Sequence, residues 1–435
     1  MEFICLQCIG DKDLHKLVTA YKTIAQCQYC GKKTSCISME QLAEIVDSYL
    51  RDYCCTGEYF PTFKSGSEKP DYEQQGATLE YFLQEELGIE YEPALKLAKI
   101  LEDIDPAHYQ HHGEELFYGG DQKYIRKLIP SSNYAEDWEY FCELIKHKSR
   151  FFDEDIKSLL ETILGKYGSN MAKQLPFIEI GPDTPYKFLY RARRVDSESE
   201  VIEILNNPIL KLAPPQPNIA TANRMNPTGI AVFYGALSDK TAISEVRPFL
   251  GNFVIVGKFN VINKLTLLDL SRMGEGFTGS IFHPDYKDKE DRLNFLQSFH
   301  TLIAKPIQPN EEPLEYIPTQ VVAEYVSNIL RFDGILYASA QIGAIPDEEP
   351  ESSSLHLQDL REEELKSYNI VIFGETPKIK KIILNEGYDN IIWLTMDLRP
   401  SLSFVPESIN TVKVKGVKYD FETTYIQGQK ENFEF

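Results

Sequence analysis

Two pairs of cysteines near the start of the chain have the spacing of a metal site. Cys5 and Cys8 form one CxxC pair, Cys27 and Cys30 form the other, and 18 residues separate the pairs. Two CxxC turns present four thiolates, which together complete the tetrahedral shell that structural zinc prefers. The spacing therefore predicts a closed, structural Zn²⁺ site that folds this segment and takes no part in catalysis.

The other cysteines leave two alternatives to this site open. Seven of the eight cysteines lie before position 56, and only Cys142 lies outside. In a cytosolic chain such clustering favours metal binding over disulfides. Free thiols are one alternative, and a different ligand set that draws on Cys36, Cys54, Cys55 or His15 is the other.

A second group of chemically capable residues lies within one short stretch, "RMNPTGIAVFYGALSDKTAISEV" (224–246). Arg224 opens it, a Pro/Gly turn follows, Tyr234 ends a short apolar run, and the next helix carries Glu245. The neighbours of Glu245 are apolar, which places its carboxylate beside a buried face, where it needs a partner. We expect Arg224 to supply that partner.

The cysteine pairs lie in the first part of the chain, which the sequence predicts to be mostly helical. "SMEQLAEIVDSYL" (38–50) is amphipathic, with Ser38 as its N-cap and Gln41 in capping-box register. Residues 61–78 are polar and read as a loop. Further helices follow, one of which ends at Gly88, and the next has Pro93 in its first turn.

The character of the sequence changes near residue 181, where strand-like runs begin to alternate with helices. The predicted strands are "KFLYRAR", "GIAVFYGA", "NFVIVGKFNV", "LTLLDL", "GILYAS" and "YNIVIFG". We therefore expect an α+β protein with a cysteine-rich zinc-binding module at 1–60, a helical region at 61–178, and a mixed α/β domain with a C-terminal extension at 179–435.

Composition and charge exclude several functions. The chain is 43% hydrophobic and 26% charged, with a net charge of −21, so we expect it to repel nucleic acid and anionic membranes. No apolar run approaches the roughly 20 residues that span a bilayer, and no secretory signal pattern opens the chain. We therefore expect a cytoplasmic location. "YRARRV" (190–195) is the densest basic cluster and leaves room for a small anionic ligand.

The motifs after residue 180 resemble the RES domain, the toxin half of RES–Xre toxin–antitoxin pairs, which is named after an Arg, a Glu and a Ser. The resemblance spans about residues 180 to 375, and "SYNIVIF" (367–373) is similar to the closing core strand of the family. The chain departs from the family pattern around Arg224, where Asn223 and Met225 replace a common Gly and an aromatic or small residue. The matching positions are Arg191, Arg224, Asn226, Gly229, Tyr234, Glu245 and Ser339.

The preceding half resembles the HEPN/RES N-terminal domain. HEPN ribonucleases use an Arg-x4–6-His pair, and none of the eight histidines follows an arginine at that distance. A nuclease role for this half is therefore disfavoured.

The resemblance implies a fold similar to ADP-ribosyltransferases and a reaction that breaks the nicotinamide–ribose bond of NAD⁺. The enzyme would transfer ADP-ribose to water or phosphate, as a bacterial toxin or an antiphage effector. It also implies NAD⁺ as substrate, an antitoxin or trigger protein as partner, and a homodimer.

Two tasks of this chemistry concern ligand binding. Arginine suits the pyrophosphate because its planar fork matches phosphate oxygens and stays charged. The resemblance assigns this task to Arg191 and Arg224, and places Asn226 among the residues that bind the dinucleotide. Alone, Arg191 reads equally well as a surface residue on a strand edge, and Arg224 as a loop residue paired with an acid.

The remaining tasks concern the reacting centre, where positive charge grows on the ribose as in glycoside hydrolysis. Tyr234 would stack on the cationic nicotinamide ring. Glu245 would accept hydrogen bonds from ribose hydroxyls and stabilise the oxocarbenium ion. Ser339 would bind a phosphate or ribose oxygen. Taken singly, Tyr234 also fits a core tyrosine, Glu245 a solvated helix residue, and Ser339 a cap of the following turn.

Other functions stay open at this point. A protein ADP-ribosyltransferase would use the same residues on a protein acceptor, and a catalytically silent interaction module would have lost them. A dinucleotide-binding dehydrogenase is disfavoured. Gly274, Gly276 and Gly279 form a G-x-G-x-x-G match after "LTLLDL", but Pro284 makes the following segment a poor helix start.

Overall fold

The computed structural model describes residues 2–62, 70–112, 117–119, 122–129, 133–151, 153–166, 168–275, 279–305, 307, 311–339, 365–373 and 401–416. The chain divides into two compact units. The first unit comprises Met1–Asp137 and Gly274–Gln297, and the second comprises Trp138–Met273 and Ser298–Phe435. No helix within the described ranges combines the length and apolar character needed to cross a membrane.

The first unit mixes short strands with helices. Its strands form a three-stranded sheet of order β1-β3-β2, a second of order β4-β8-β7, and the pair β5-β6. In chain order the elements are β1 (Phe3–Cys5), α1 (Lys12–Val18), β2 (Thr23–Gln26), β3 (Lys33–Ser38), α2 (Met39–Tyr53), β4 (Cys54–Thr56), β5 (Tyr59–Thr62), β6 (Asp71–Gln74), β7 (Ala77–Thr78), α3 (Leu79–Leu87), α4 (Tyr91–His112) and β8 (Lys123–Arg126).

This mixture corrects the prediction of a mostly helical N-terminal domain. β6 lies inside the segment 61–78 that reads as a loop, and β7 ends at its border. These strands are too short for alternation of apolar and polar residues to stand out from a polar loop. Pairing with a neighbouring strand, as between Tyr59 and Gln74, satisfies their backbone groups.

The predicted helices of the first unit are confirmed. Ser38 caps α2, and its hydroxyl accepts a hydrogen bond from the backbone N–H of Gln41 at 3.2 Å. α3 ends at Gly88, whose φ of +62° is the left-handed conformation that glycine adopts readily. α4 carries Pro93 in its first turn. The buried apolar faces of α2, α3 and α4 form one hydrophobic core.

The second unit is built around one eight-stranded sheet of order β16-β12-β10-β11-β15-β14-β13-β9. Two helices are divided between the units: α5 (Asn133–Glu143) and α11 (Tyr286–Ala304) both begin in the first unit and end in the second. The other elements of the second unit are, in chain order, α6 (Glu154–Leu164), α7 (Asn170–Lys173), β9 (Phe177–Ile180), β10 (Phe188–Val195), α8 (Glu198–Asn206), α9 (Pro208–Leu212), β11 (Phe233–Ala236), α10 (Asp239–Glu245), β12 (Phe253–Val261), β13 (Leu265–Asp269), α12 (Glu312–Glu315), α13 (Ile317–Asn328), β14 (Gly334–Ala338), β15 (Tyr368–Ile372) and β16 (Leu402–Lys413).

The pairing of these strands is that of a mixed α/β domain, as the sequence predicts. β13 and β14 run parallel, and the other pairings of the sheet are antiparallel. The Phe259 ring contacts the Phe233 ring edge-on and the Phe404 ring at a tilt, with ring centroids 5.1 and 5.3 Å apart. This buried apolar cluster holds β11, β12 and β16 in place.

Among the described residues, no α-helix begins at the glycine run after β13. β13 ends at Asp269, and the next α-helix begins at Tyr286, several residues beyond Gly279. Gly276 lies outside the described residues. A dinucleotide-binding fingerprint needs its glycines at the start of the helix that follows the strand, so the structure supports the sequence argument against a dehydrogenase.

Candidate functional site

A cavity of about 670 Å³ lies in the second unit, beside β10, β11, β14, β15 and the end of α10. This volume is within the range typical of ligand pockets. Its charged lining among the described residues consists of four arginines and one carboxylate: Arg191, Arg194, Arg224, Arg247 and Glu245. A chain with a net charge of −21 thus concentrates positive charge in one concave site, which favours an anionic ligand.

Arg191 projects from β10 into this cavity. Its guanidinium carbon lies 5.4 Å from the centre of the Phe233 ring, and its buried Nη1 has no hydrogen-bond partner among the described residues. Burial lowers the pKa of Arg191 to about 10, so the side chain remains cationic at neutral pH. A buried donor without a partner is rare in proteins, and a ligand oxygen would satisfy it.

Arg224 lines the same cavity but has protein partners. Its guanidinium donates hydrogen bonds to the carbonyls of Ile303 at 2.5 Å and Lys305 at 2.8 Å, and lies 5.3 Å from the Tyr316 ring. The expected pairing of Arg224 with Glu245 is therefore wrong. Those two carbonyls belong to the end of α11 and the residue after it, so Arg224 fastens its loop to that helix.

Tyr234 is fixed in the cavity wall by its hydroxyl. The oxygen accepts a hydrogen bond from the backbone N–H of Met225 and donates one to Oδ1 of Asn226, both at 2.9 Å. Burial raises the pKa of this hydroxyl. Because the oxygen is engaged, the side chain offers a ligand its ring rather than its O–H group.

Asn226 is buried in the turn that precedes β11. Its oxygen supports Tyr234, and its amide donates to three carbonyls of the surrounding loop, those of Thr221, Pro227 and Ile230. Gly229, in the same turn, has a φ of +88° that other residues rarely adopt. The structure thus places Asn226 as the residue that holds Tyr234, and its predicted contact with a dinucleotide stays a prediction.

Glu245 and Ser339 meet in the folded chain although 94 positions separate them. The hydroxyl of Ser339 donates a hydrogen bond to Oε1 of Glu245. Glu245 is the last residue of α10, and Ser339 directly follows β14 and is 6% exposed. Tyr337 lines the cavity nearby. Burial and then the charge of Glu245 raise the pKa of its hydroxyl well above the usual value.

Asn369 is one of the lining residues that the sequence did not indicate. Asn369 lies on β15 and is 4% exposed, and its buried Nδ2 has no hydrogen-bond partner among the described residues. It also lines the cavity. The only signal in the sequence is a single amide inside the apolar run "YNIVIF", which reads as a core strand.

In the first unit, Cys5, Cys8, Cys27 and Cys30 form the predicted cluster, with all four Sγ atoms within 4.8 Å of one another. The Cys5 Sγ lies 3.5 Å from those of Cys8 and Cys30, and the Cys8 Sγ lies 3.9 Å from that of Cys27. Zinc–sulfur bonds of about 2.3 Å give tetrahedral edges of about 3.8 Å. The four thiols therefore have the spacing of a zinc site, and none forms a disulfide.

The backbone around Cys27 favours its thiolate, whereas burial raises the pKa of Cys5 and Cys8. Burial opposes ionisation of Cys27, but hydrogen bonds from the backbone N–H groups of Cys30, Cys5 and Tyr29 lower its pKa to about 7. Gly31, directly after the second pair, has a φ of +73°. This left-handed turn brings its N–H to the Cys27 carbonyl at 2.9 Å. Such N–H groups around sulfur are what a bound cation requires of its ligands.

The alternative ligand sets are not assembled. The Cys36 thiol lies against the carbonyl of Ala25 at 3.5 Å, and Nε2 of His15 lies 2.6 Å from the carbonyl of Ile9. Within the part of the chain that the structure describes, the four cysteines are the one group of three or more side chains placed to hold a metal ion.

A mixed sheet beside a cationic cavity lined by an Arg, a Tyr and a Glu–Ser pair is an arrangement typical of α/β enzymes. The RES domain family matches residues 189–389, and the HEPN/RES N-terminal domain 1 family matches residues 20–158. The chain therefore contains a RES domain and a HEPN/RES N-terminal domain, as the resemblance predicted. The RES family is an NAD⁺-utilising enzyme family related to toxin–antitoxin systems.

No curated protein and no solved structure matches the chain. The matched N-terminal range begins at residue 20, so it contains Cys27 and Cys30 but neither Cys5 nor Cys8. Half of the cysteine cluster thus lies outside the family match.

Proposed function

We propose that this protein is an NAD⁺-consuming enzyme that breaks the nicotinamide–ribose bond and acts in the cytoplasm as a toxin or an antiphage effector. The observation that carries the proposal is the cavity in which four arginines surround one carboxylate, itself hydrogen-bonded to Ser339. NAD⁺ offers a matching set of groups, since its pyrophosphate is anionic and its nicotinamide ring is cationic.

The arginines suit the pyrophosphate. Arg191 has an open, buried donor, and its guanidinium stays charged at neutral pH. In this reading Arg191 binds a phosphate oxygen, which compensates the charge that folding leaves buried. Arg224 contributes positive charge while its own hydrogen bonds keep the loop before β11 in place. Tyr234 presents its ring to the nicotinamide.

Glu245 suits the reacting ribose. When the bond from ribose C1′ to the nicotinamide nitrogen breaks, the electron pair leaves with nicotinamide, which departs as a neutral molecule. The ribose is left oxocarbenium-like, and the Glu245 carboxylate stabilises that positive charge. Water or phosphate then forms the new bond to C1′, and attacking water releases a proton. The Ser339 hydrogen bond holds the carboxylate in one orientation.

The test is NAD⁺ consumption by the purified protein, with and without phosphate, followed by mass spectrometry of the products. Glu245→Gln removes the negative charge and retains an oxygen that accepts from Ser339, so we expect a loss of about 100- to 1000-fold in turnover. Glu198→Gln, at an exposed position of α8, is the matched control and should retain activity.

The products distinguish the acceptors. ADP-ribose indicates water, and ADP-ribose 1″-phosphate indicates phosphate. Full activity of Glu245→Gln would refute the assigned role. If NAD⁺ remains intact with the purified protein but ADP-ribose becomes attached to protein in a cell lysate, the alternative of a protein ADP-ribosyltransferase replaces the proposal.

We also propose that Cys5, Cys8, Cys27 and Cys30 hold a structural Zn²⁺. Four thiolates leave no open coordination position, so the ion would stabilise the first unit. Elemental analysis should find one zinc per chain, and Cys27→Ser should lower zinc content and stability. Cys142→Ser is the control, because burial raises the pKa of Cys142 to about 12 and it lies outside the cluster. Full zinc content in Cys27→Ser would refute the ligand set.

The proposed function implies two protein partners, an antitoxin or trigger protein and a second copy of this chain. Light scattering of the purified protein tests the homodimer. The net charge of −21 continues to disfavour nucleic acid as a partner.

A further inference from the structure

Asn369 is a polar residue in an otherwise apolar, fully buried strand. All five residues of β15 are buried, and Asn369 is 4% exposed. Its Nδ2 is inaccessible and has no hydrogen-bond partner among the described residues, and the residue lines the cavity. A buried amide donor without a partner destabilises the free protein. A leucine would fit this strand without that cost, so the amide points to a ligand.

The strand register places Asn369 in a row of four side chains. Tyr190 lies opposite Ala236, Ala236 opposite Asn369, and Asn369 opposite Tyr337, across four adjacent strands. Tyr190, Asn369 and Tyr337 all line the cavity. The small side chain of Ala236 leaves space beside Asn369. An amide with Tyr337 on one side, and Tyr190 beyond the small Ala236 on the other, suits a flat ring that carries its own hydrogen-bonding edge.

The row ends near Glu245. Tyr337, directly opposite Asn369, interacts electrostatically with Glu245. Ser339, two residues further along the chain, donates a hydrogen bond to the same carboxylate. Asn369 thus lies at the end of the cavity where the proposed function places the bond that breaks, and so at the nicotinamide end of NAD⁺.

We propose that Asn369 determines specificity by binding the carboxamide of nicotinamide. Nδ2 would donate to the carboxamide oxygen, and Oδ1 would accept from the carboxamide NH₂ group, so that two primary amides form a reciprocal pair. This inference rests on the proposed function. The edge of adenine offers a similar donor and acceptor, and the test distinguishes the two rings.

The test measures binding in a Glu245→Gln background, where turnover is slow. Titration calorimetry compares NAD⁺ with ADP-ribose, which contains the adenine and both phosphates but lacks nicotinamide. With Asn369→Leu we expect NAD⁺ to bind about 10- to 100-fold more weakly and ADP-ribose to bind as before. Asn223→Ala is the matched control, because Asn223 also lines the cavity but its amide already donates to the Thr221 carbonyl. It should leave the ratio of the two affinities unchanged.

A second readout uses the active protein. Nicotinic acid adenine dinucleotide carries a carboxylate that cannot donate to Oδ1, so the protein with Asn369 should prefer NAD⁺ by at least about 100-fold in kcat/KM. Asn369→Leu should reduce that preference to below about tenfold. The thermal unfolding midpoint of Asn369→Leu should equal or exceed that of the wild-type protein, which shows that the variant is folded.

Each other outcome overturns a defined claim. If Asn369→Leu weakens both ligands equally, Asn369 contacts the ADP-ribose part, and the inference is wrong. If neither affinity changes, Asn369 contacts no ligand. If the Glu245→Gln protein binds NAD⁺ and ADP-ribose but the wild type has no turnover, the proposed reaction is wrong and the binding assignment stands. If the Glu245→Gln protein binds neither ligand, both the proposed function and the inference that rests on it are wrong.

Discussion

Replacing Arg191 by methionine should stabilise the ligand-free protein and abolish its response to NAD⁺. The Arg191 guanidinium is buried beside the Phe233 ring, with an Nη1 that has no hydrogen-bond partner among the described residues. Folding therefore leaves a cation partly uncompensated until a ligand arrives. Residues that bind ligands frequently reduce the stability of the free protein in this way.

The lowered pKa of Arg191 sets the upper limit of this change in stability. A decrease from the ordinary value of about 12.5 to about 10 corresponds to at most about 3.4 kcal/mol at neutral pH. The Arg191 residue as a whole is half-buried although its Nη1 is buried, so partial solvent screening reduces this cost, and the contact with Phe233 offsets about 0.5–1 kcal/mol of it. We expect Arg191→Met to raise the free energy of unfolding by about 1–2 kcal/mol.

The pH dependence of this stability change follows from the direction in which the pKa of Arg191 is shifted. Because the pKa of Arg191 is lower in the folded state than in the unfolded state, the penalty is fully present below pH 10 or so and is relieved as pH rises above it. The increase in the free energy of unfolding caused by Arg191→Met should therefore be constant between about pH 6 and 9.

Urea unfolding followed by tryptophan fluorescence measures this free energy, because Trp138, one of the two tryptophans of the chain, is buried in the second unit. NAD⁺ at 100 times its Kd should stabilise the parent by about 2.7 kcal/mol and the variant by much less. Arg194→Met is the control. Arg194 is exposed at the cavity rim, and its replacement should change stability by less than about 0.5 kcal/mol. If Arg191→Met instead destabilises the protein by more than about 1 kcal/mol, Arg191 supports the fold, and the argument for a ligand-binding arginine fails.

Two serines test the site and the helix cap independently. Ser339→Ala removes the donor to Glu245, and we expect kcat/KM for NAD⁺ to fall about tenfold; an unchanged value would remove Ser339 from the site. Ser38→Ala removes the hydroxyl that accepts from the Gln41 N–H, and should cost about 1 kcal/mol in urea unfolding followed by circular dichroism. Ser48→Ala, on the exposed face of the same helix, is its control, and equal losses in the two variants would refute the capping role.

Much of this protein could be predicted from short-range patterns in the sequence. A cap such as Ser38 acts on an N–H three residues away, and a CxxC pair positions two thiols within one turn, so both are visible in a few letters. A largely apolar run such as that of β12 predicts a strand for the same reason. The short strands β5 to β7 escaped prediction because pairing with other segments, rather than their own pattern, makes them strands.

The order of the motifs also indicated which residues would share a cavity. Arg191, Arg224, Tyr234 and Glu245 lie around one space, which agrees with their predicted grouping. The sequence did not determine their partners. It paired Arg224 with Glu245 because both lie in one short stretch, whereas in the fold each bonds to residues from other elements.

Only the tertiary structure decided those contacts. Arg224 reaches carbonyls 79 and 81 positions away, and Glu245 reaches a hydroxyl 94 positions away. Asn369 looks like an ordinary strand residue until the order of β10, β11, β15 and β14 places it between Tyr190 and Tyr337. Local patterns reflect the conformational preferences of neighbouring residues, whereas a binding site is made by which distant strands lie side by side, and that is set by the packing of the whole sheet.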